Sequence, residues 1–439
     1  MKQEGRLLAL LPFFVFVGLF FVSAVWFDSQ FSPIYACLVA IIVSFFTFGS
    51  KIGFNKKVKV FIEGCSNHFV VVMTLIFIEA SIFTYVLKLI GATESAACIS
   101  LTVLPCHYVL PGFFVITAIF ATAIGSSMGT IATFLPIGVV IAQKIGFPLP
   151  FMAGTVVGAA MLGDNLSFTS DTTIASTKTT GSKPYDKFIA NLFLVAIASL
   201  LTIIALMYAN SFYLSGCVQL NLQSIVIRDF IVIVPYVFVL TLAFLGFNIV
   251  GVLLVAIMIA LGLGVVLGEF SFLESTMLPL KGFVLDRAID EVMIVALLIS
   301  GLSRIVEFNG GITYILRHVG KNTKTKGGAE VASAVTVFLV NVVATINTLA
   351  ILIAGPFVHR IGNRAGIENK RQACLLDIFS SITQGILPYA PQLLLAQSII
   401  GISSIAIIPY LYYQGFIFLV MIFSIGLTFW DEKKSLNGS

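Results

Sequence analysis

The sequence predicts an all-α polytopic membrane protein of about ten to thirteen transmembrane helices, built as two inverted-topology repeats with broken or re-entrant segments. Three observations predict it. Hydrophobic residues fill 59% of 439 positions and charged residues only 10%, against about 25% charged in soluble domains, and the mean hydropathy is +1.06. Apolar runs of roughly 20 residues recur, the length that crosses a bilayer's hydrocarbon as a helix. The basic loops of one half of the chain fall on nearly neutral loops of the other.

The runs at residues 7–26, 32–48, 188–208, 230–247, 251–267 and 405–429 are the clearest spans. They are continuous rather than alternating, which selects helices over barrel strands. The first follows Lys2, Glu4 and Arg6 and carries Val-Ser-Ala at 22–24, a weak cleavage site. It is long for a signal core and more spans follow, so it reads as an uncleaved first span. The six cysteines are scattered without a CxxC pair, which argues against a zinc site or a disulfide framework. The net charge of +5 is not a nucleic-acid footprint, because the basic residues cluster in short loops. These are residues 51–59, 178–187, 317–326 and 360–371. The positive-inside rule puts all four in the cytoplasm. The N-terminus joins them, since the first two spans form a hairpin returning to Lys51.

Shifted against itself by 220 positions, the chain aligns Met73 with Met293, Gly91 with Gly311, Thr93 with Thr313, Pro136 with Pro356 and Gly146 with Gly366. The loops argue more strongly. Residues 51–59 fall on 271–279, whose one charge is Glu274, although Lys281 and Arg287 lie just beyond. Residues 317–326 fall on the uncharged 97–106, and 178–187 on the uncharged 398–407. Residues 360–371 fall on 140–151, which carries only Lys144. Two halves of opposite orientation, 1–215 and 216–439 within one integrated membrane domain, would give this pattern. Such repeats typify secondary transporters, whose sites lie at the repeat interface near the midplane.

Residues 163–173 read GDNLSFTSDTT, and the run before them, 147–162, is short for a crossing and rich in small residues. The mate of this stretch is TQGILPYAPQ at 383–392, interrupted by Gln384, Gly385, Pro388 and Pro391. Paired interruptions point to a transporter's binding site. A broken helix frees backbone carbonyls for a cation, and carboxylates and hydroxyls suit a hard cation. Asp164, Asn165, Ser167, Ser170, Asp171 and Thr172 are therefore candidate proton- and cation-binding residues, with Asp164 and Asp171 as Na⁺ ligands. The competing reading makes 163–187 one cytoplasmic loop.

GSSMGT at 125–130 is a second polar interruption, with Ser126, Ser127 and Thr130 as candidates. Its mate, TINTLA at 345–350, offers Asn347 and Thr348. Small hydroxyl residues at mid-membrane also serve helix packing. Asp377, in an apolar context shortly before the second break, is a candidate acid, with Gln384 and Tyr389 completing a second-half site. Glu79 lies mid-run, where ionisable groups are functional candidates. Glu291 and Glu307 lie nearer the run edges, and Arg304 pairs with Glu307 at i,i+3. His107, between two prolines, reads as structural rather than as a pH sensor. HExxH, GxSxG and Walker motifs are missing. The sequence therefore predicts no enzyme, no cofactor and no ATP drive, and leaves ion or proton gradients to power transport. No Lys or Arg lies between Lys144 and Lys178, so the first-half site offers no anion clamp.

Residues 125–176 resemble the NhaC family of Na⁺/H⁺ antiporters. The resemblance rests on Gly125, Ser126, Ser127, Gly129 and Thr130, then Pro148 and Pro150. It continues through Gly163, Asp164, Ser167, Ser170, Asp171, Thr172 and Thr173, and extends more loosely over residues 292–312 and the C-terminal third. It implies an inverted-repeat fold of the ion-transporter superfamily with re-entrant or unwound segments. It also implies Na⁺/H⁺ antiport by alternating access, with Asp164, Asp171 and Asp377 trading proton for Na⁺ in the plasma membrane. The second half departs from the family's pattern: Asp377 is retained, but the asparagine that usually follows the second proline pair is not. Some family relatives exchange malate and lactate along with cations. The alternative is thus a Na⁺- or H⁺-coupled carrier or exchanger of a small carboxylate or amino acid. The implied partners are the lipid bilayer, a monovalent cation, protons and, in that alternative, a small organic anion. No nucleic acid is expected, and a homodimer is allowed.

Overall fold

The computed structural model describes residues 6–26, 32–47, 53–213, 225–285, 287–319 and 325–437. Every regular element among them is helical. Among the described residues seven helices are long and apolar enough to cross a membrane: His68–Leu89, Ser127–Ile145, Pro184–Ser211, Ile227–Phe244, Ile249–Val266, Lys326–Ala344 and Tyr412–Glu432. A further apolar pair, Asn369–Ile400 and Ser404–Tyr410, is bent by 100°, as in a broken span or a re-entrant loop. Leu7–Ser23, Pro33–Phe46 and Val109–Ile124 are shorter apolar helices.

Several boundaries differ from expectation. The single run expected at 405–429 is interrupted, because Leu411 leaves helical geometry (φ −81°, ψ 60°) and the last helix starts at Tyr412. The loop reading of 163–187 is overturned, since Asp171–Thr180 is a helix and Pro184–Ser211 begins before Lys187. Lys57 and Lys187, counted with the basic loops, are both buried. Lys2, Glu4, Lys51, Lys321, Lys324 and the 215/216 half boundary lie outside the described residues.

The two halves place their breaks alike. Leu149–Leu166 stops at Ser167, and Asp171–Thr180 follows from the cap Ser170 to Gly181 at φ 67°. Asn369–Ile386 stops at Leu387, and Pro391–Ile400 follows from Ala390 to Gly401 at φ 68°. Each of these positions differs from its mate by 220. The preceding helices, Ser127–Ile145 and Asn347–Arg364, begin 220 apart and carry Pro136 and Pro356 at matched places. Both follow a left-handed residue, Gly125 at φ 66° and Thr345 at φ 61°.

The segments after the breaks are exchanged between halves. Asp171–Thr180 packs on Asn347–Arg364 and Asn369–Ile386, and Pro391–Ile400 packs on Ser127–Ile145 and Leu149–Leu166. The small residues of Leu149–Leu166 permit close approach of its neighbours. At Gly163 an added Cβ would lie 2.2 Å from the Ala121 Cβ, so Val109–Ile124 admits only glycine there.

Candidate functional site

Hydroxyls tie the first break together. The Ser170 Oγ accepts from the Thr173 amide at 3.2 Å, which caps Asp171–Thr180. Thr173 Oγ1 donates to the Ser167 carbonyl at 2.7 Å, and Ser170 Oγ donates to the Asp164 carbonyl at 3.2 Å. The last turn of Leu149–Leu166 leaves carbonyls without intrahelical partners. One of these, the Asn165 carbonyl, is taken by two donors on the helix Pro184–Ser211. Lys187 Nζ donates to the Asn165 carbonyl at 2.9 Å and Asn191 Nδ2 to the same oxygen at 2.8 Å. Lys187 also forms an ion pair with Asp377 Oδ2 at 2.8 Å, and Asn191 Nδ2 donates to that oxygen at 2.8 Å.

The second break is held by amides. Gln384 Nε2 donates to the Thr345 carbonyl at 2.7 Å, and Gln392 Nε2 to Ser127 Oγ at 3.2 Å, which joins the halves. Oε1 of both glutamines is buried with no hydrogen-bond donor among the described residues.

Both breaks face one cavity of about 320 Å³. From the first half it is lined by Gly125, Ser126, Ser127, Met128, Asp164, Thr169, Asp171 and Thr172. Ile346, Asn347, Thr348, Gln384, Pro391 and Gln392 line it from the second half. The apolar wall is Phe69, Val72, Met73 and Ile76, one helical face of His68–Leu89, together with residues 246–249. Asp164 is buried and its carboxylate is hydrogen-bonded by Ser127, while Asp171 is exposed. Among the described residues no Lys, Arg or His lines the cavity, and no group of three or more His, Cys, Asp or Glu side chains could hold a metal ion.

Of the expected site residues, Ser126, Ser127, Asp164, Asp171, Thr172, Asn347, Thr348 and Gln384 thus meet at the cavity. The others stand apart from its lining. Thr130 Oγ1 donates to the Ser126 carbonyl at 2.9 Å within its own helix. Ser167 and Ser170 hold the break from inside, and Asn165 Nδ2 donates to Tyr413 OH at 2.9 Å. Asp377 is engaged by Lys187 and Asn191. Tyr389 packs edge-on against Phe13, Phe16 and Phe20 and donates to the Val342 carbonyl at 3.3 Å. Glu79 is buried three residues beyond Ile76 on the helix His68–Leu89, with Oε2 lacking a donor among the described residues. The expected Arg304–Glu307 pair is present at 2.8 Å. Sequence reasoning missed Lys187 and Asn191. Their i,i+4 spacing at the head of an apolar run places both on one helical face, and that signal was legible.

Residues 7–211 match the model of the Na⁺/H⁺ antiporter family. The chain is similar to the malate-2H⁺/Na⁺-lactate antiporter of Bacillus subtilis, 20% identical over 402 residues, with 85% of this chain and 86% of that protein covered. It is similar to the arginine/ornithine antiporter ArcD of Halobacterium salinarum, 21% identical over 354 residues, covering 74% and 73%. It is also similar to the Na⁺/H⁺ antiporter NhaC of Bacillus subtilis, 24% identical over 359 residues, covering 74% and 78%. The match over residues 7–211 and the three antiporter relatives make the chain a multi-pass membrane antiporter, a secondary transporter and not an enzyme.

Proposed function

We propose that the protein exchanges a monovalent cation, Na⁺ first among them, for protons at the cavity between the two helix breaks. Asp164 and Asp171 carry the cation in one state and protons in the other. Ser126, Ser127, Thr172, Asn347, Thr348 and Gln384 supply neutral oxygens. The observation that carries this reading is a cavity lined by two carboxylates and, among the described residues, no basic side chain. The paired breaks make it a natural site for alternating access.

The matched elements at a shift of 220 support two inverted repeats divided near residue 215. Lys56, Lys178, Lys183, Arg360 and Arg364 are exposed near helix ends and Lys59 is exposed on the helix Phe54–Cys65, which supports placing them, and the N-terminus, on the cytoplasmic side of the plasma membrane.

A second reading has one observation in its favour. About 320 Å³ lies within the range of small-molecule sites, roughly 300–1,000 Å³, and exceeds a bare ion's needs. The lining charge suits an amine or amino acid better than a dicarboxylate. The test is a screen in proteoliposomes with proton flux as the readout, offering Na⁺, Li⁺, K⁺, arginine, malate and lactate in turn. Flux with Na⁺ or Li⁺ alone supports the first reading. Flux that requires an amino acid or a carboxylate replaces it.

A further inference from the structure

The side chain of Lys187 is 0% exposed. Its ammonium meets Asp377 Oδ2 at 2.8 Å, Thr173 Oγ1 at 2.8 Å, the Asn165 carbonyl at 2.9 Å and the Asp164 carbonyl at 3.5 Å. One carboxylate, one hydroxyl and two carbonyls at a helix end form the oxygen set that a hard cation takes at a broken helix. The helix macrodipole adds negative potential at the same end. Three further oxygens of the cluster, Asn165 Oδ1, Asn191 Oδ1 and Asp377 Oδ1, are buried with no donor among the described residues. The locus is oversupplied with acceptors and favours a positive charge. At the matched positions of the other half, Lys187 and Asp377 become Ile407 and Val157, both 0% exposed. The mates of the pair are apolar, so the fold does not demand charge there.

We propose that Lys187 is a tethered cation. Its ammonium fills an ion position behind the cavity, so that Asp377 holds the chain's own charge and ion exchange is left to the cavity. The division of labour rests on the reading given above for Asp164 and Asp171, but the first test below does not.

The test compares wild type, Lys187→Met and Lys187→Met/Asp377→Asn by thermal unfolding of purified protein, in choline chloride and at equal ionic strength in NaCl, KCl or NH₄Cl. Lys187→Met is expected to melt lower than wild type in choline by roughly 5 °C or more. It should recover in one of the small cations by more than wild type responds. The double variant, which lacks the carboxylate, should respond no more than wild type. Equal cation responses in wild type and Lys187→Met would overturn the proposal, and so would an undiminished response in the double variant. If Lys187→Met does not fold in choline, purification in the small cations decides. Protein that folds in one of them and is lost on exchange into choline supports the tethered cation, and failure in all of them overturns it. In proteoliposomes the double variant should keep proton-coupled flux within about tenfold of wild type (1.4 kcal/mol per tenfold). A double variant as inactive as Asp164→Asn would overturn the proposal. An active Asp164→Asn beside cation-rescued Lys187→Met would sink the cavity reading alone and leave the tethered cation standing.

Discussion

Asp164 and Gln384 lie 220 residues apart, each two residues before the last residue of its helix, Leu166 and Ile386, and each lining the same cavity. One position presents a carboxylate where the other presents a neutral amide on a side chain one methylene longer. The two matched positions therefore differ in charge. Gln384 fixes its amide nitrogen on the Thr345 carbonyl and leaves Oε1 without a donor among the described residues.

Gln384→Glu would add a third carboxylate to the cavity, beside those of Asp164 and Asp171. Its expected effect is a lower KM for the transported cation, by up to about tenfold, measured as initial flux against cation concentration. An unchanged KM would show that the second-half wall does not contact the ion.

Gly125 and Thr345 are mates in left-handed geometry, and their tolerances should differ. A Cβ at Gly125 would lie 2.6 Å from Thr169 Oγ1 and 2.8 Å from Ser167 Oγ, inside the first break. Gly125→Val should abolish flux and lower Tm. Thr345 is a β-branched residue at φ 61°, a strain of order 1–3 kcal/mol. Thr345→Gly should keep flux and leave stability unchanged or raised by about 1 kcal/mol, read from thermal unfolding. The Gln384 bond survives this change, because it is made to the backbone.

Arg371 grips Glu330 with two bonds, 2.8 Å from Nε and 3.0 Å from Nη2, and Thr428 Oγ1 donates to the same carboxylate at 3.2 Å. The pair joins Lys326–Ala344 to Asn369–Ile386 and is largely buried, with side-chain exposures of 19% and 4%. Breaking a buried pair from one side costs about 3–5 kcal/mol. Glu330→Gln should lower Tm while flux per folded molecule stays near wild type. A large fall in flux at unchanged Tm would move this pair into the transport machinery.

Lys57 donates to the Phe45 and Thr47 carbonyls at 2.6 and 2.7 Å, closing the end of Pro33–Phe46. Lys57→Met leaves those carbonyls unpaired and should cost about 1–3 kcal/mol, seen as a lower Tm at every salt concentration. A Tm equal to wild type would mean that the two carbonyls find other partners.

Much of this was legible in the sequence, and the rest failed for physical reasons. The shift of 220, read from a few glycines, prolines and neutral loops, fell without an offset on the helix boundaries at the two breaks, because turn residues and breaks are local signals. The grouping of Asp164, Asp171, Ser127, Asn347 and Gln384 followed from the breaks. Lys57 and Lys187 were misread as loop charges because a lysine's long apolar stem can bury while its head caps a helix end. Asp377 was legible as a buried acid, but its partner lies 190 positions earlier, and no periodicity within one helix reports such a pairing. Tyr389 is a bulky aromatic in a proline-rich break, and composition could not separate packing against Phe13, Phe16 and Phe20 from a place in the cavity.

The central claim is that Asp164 exchanges ion for proton. Its most direct test is Na⁺-driven proton flux by Asp164→Asn in proteoliposomes, using protein whose Tm matches wild type. The account predicts a fall of at least about a hundredfold, and flux within twofold of wild type would contradict it.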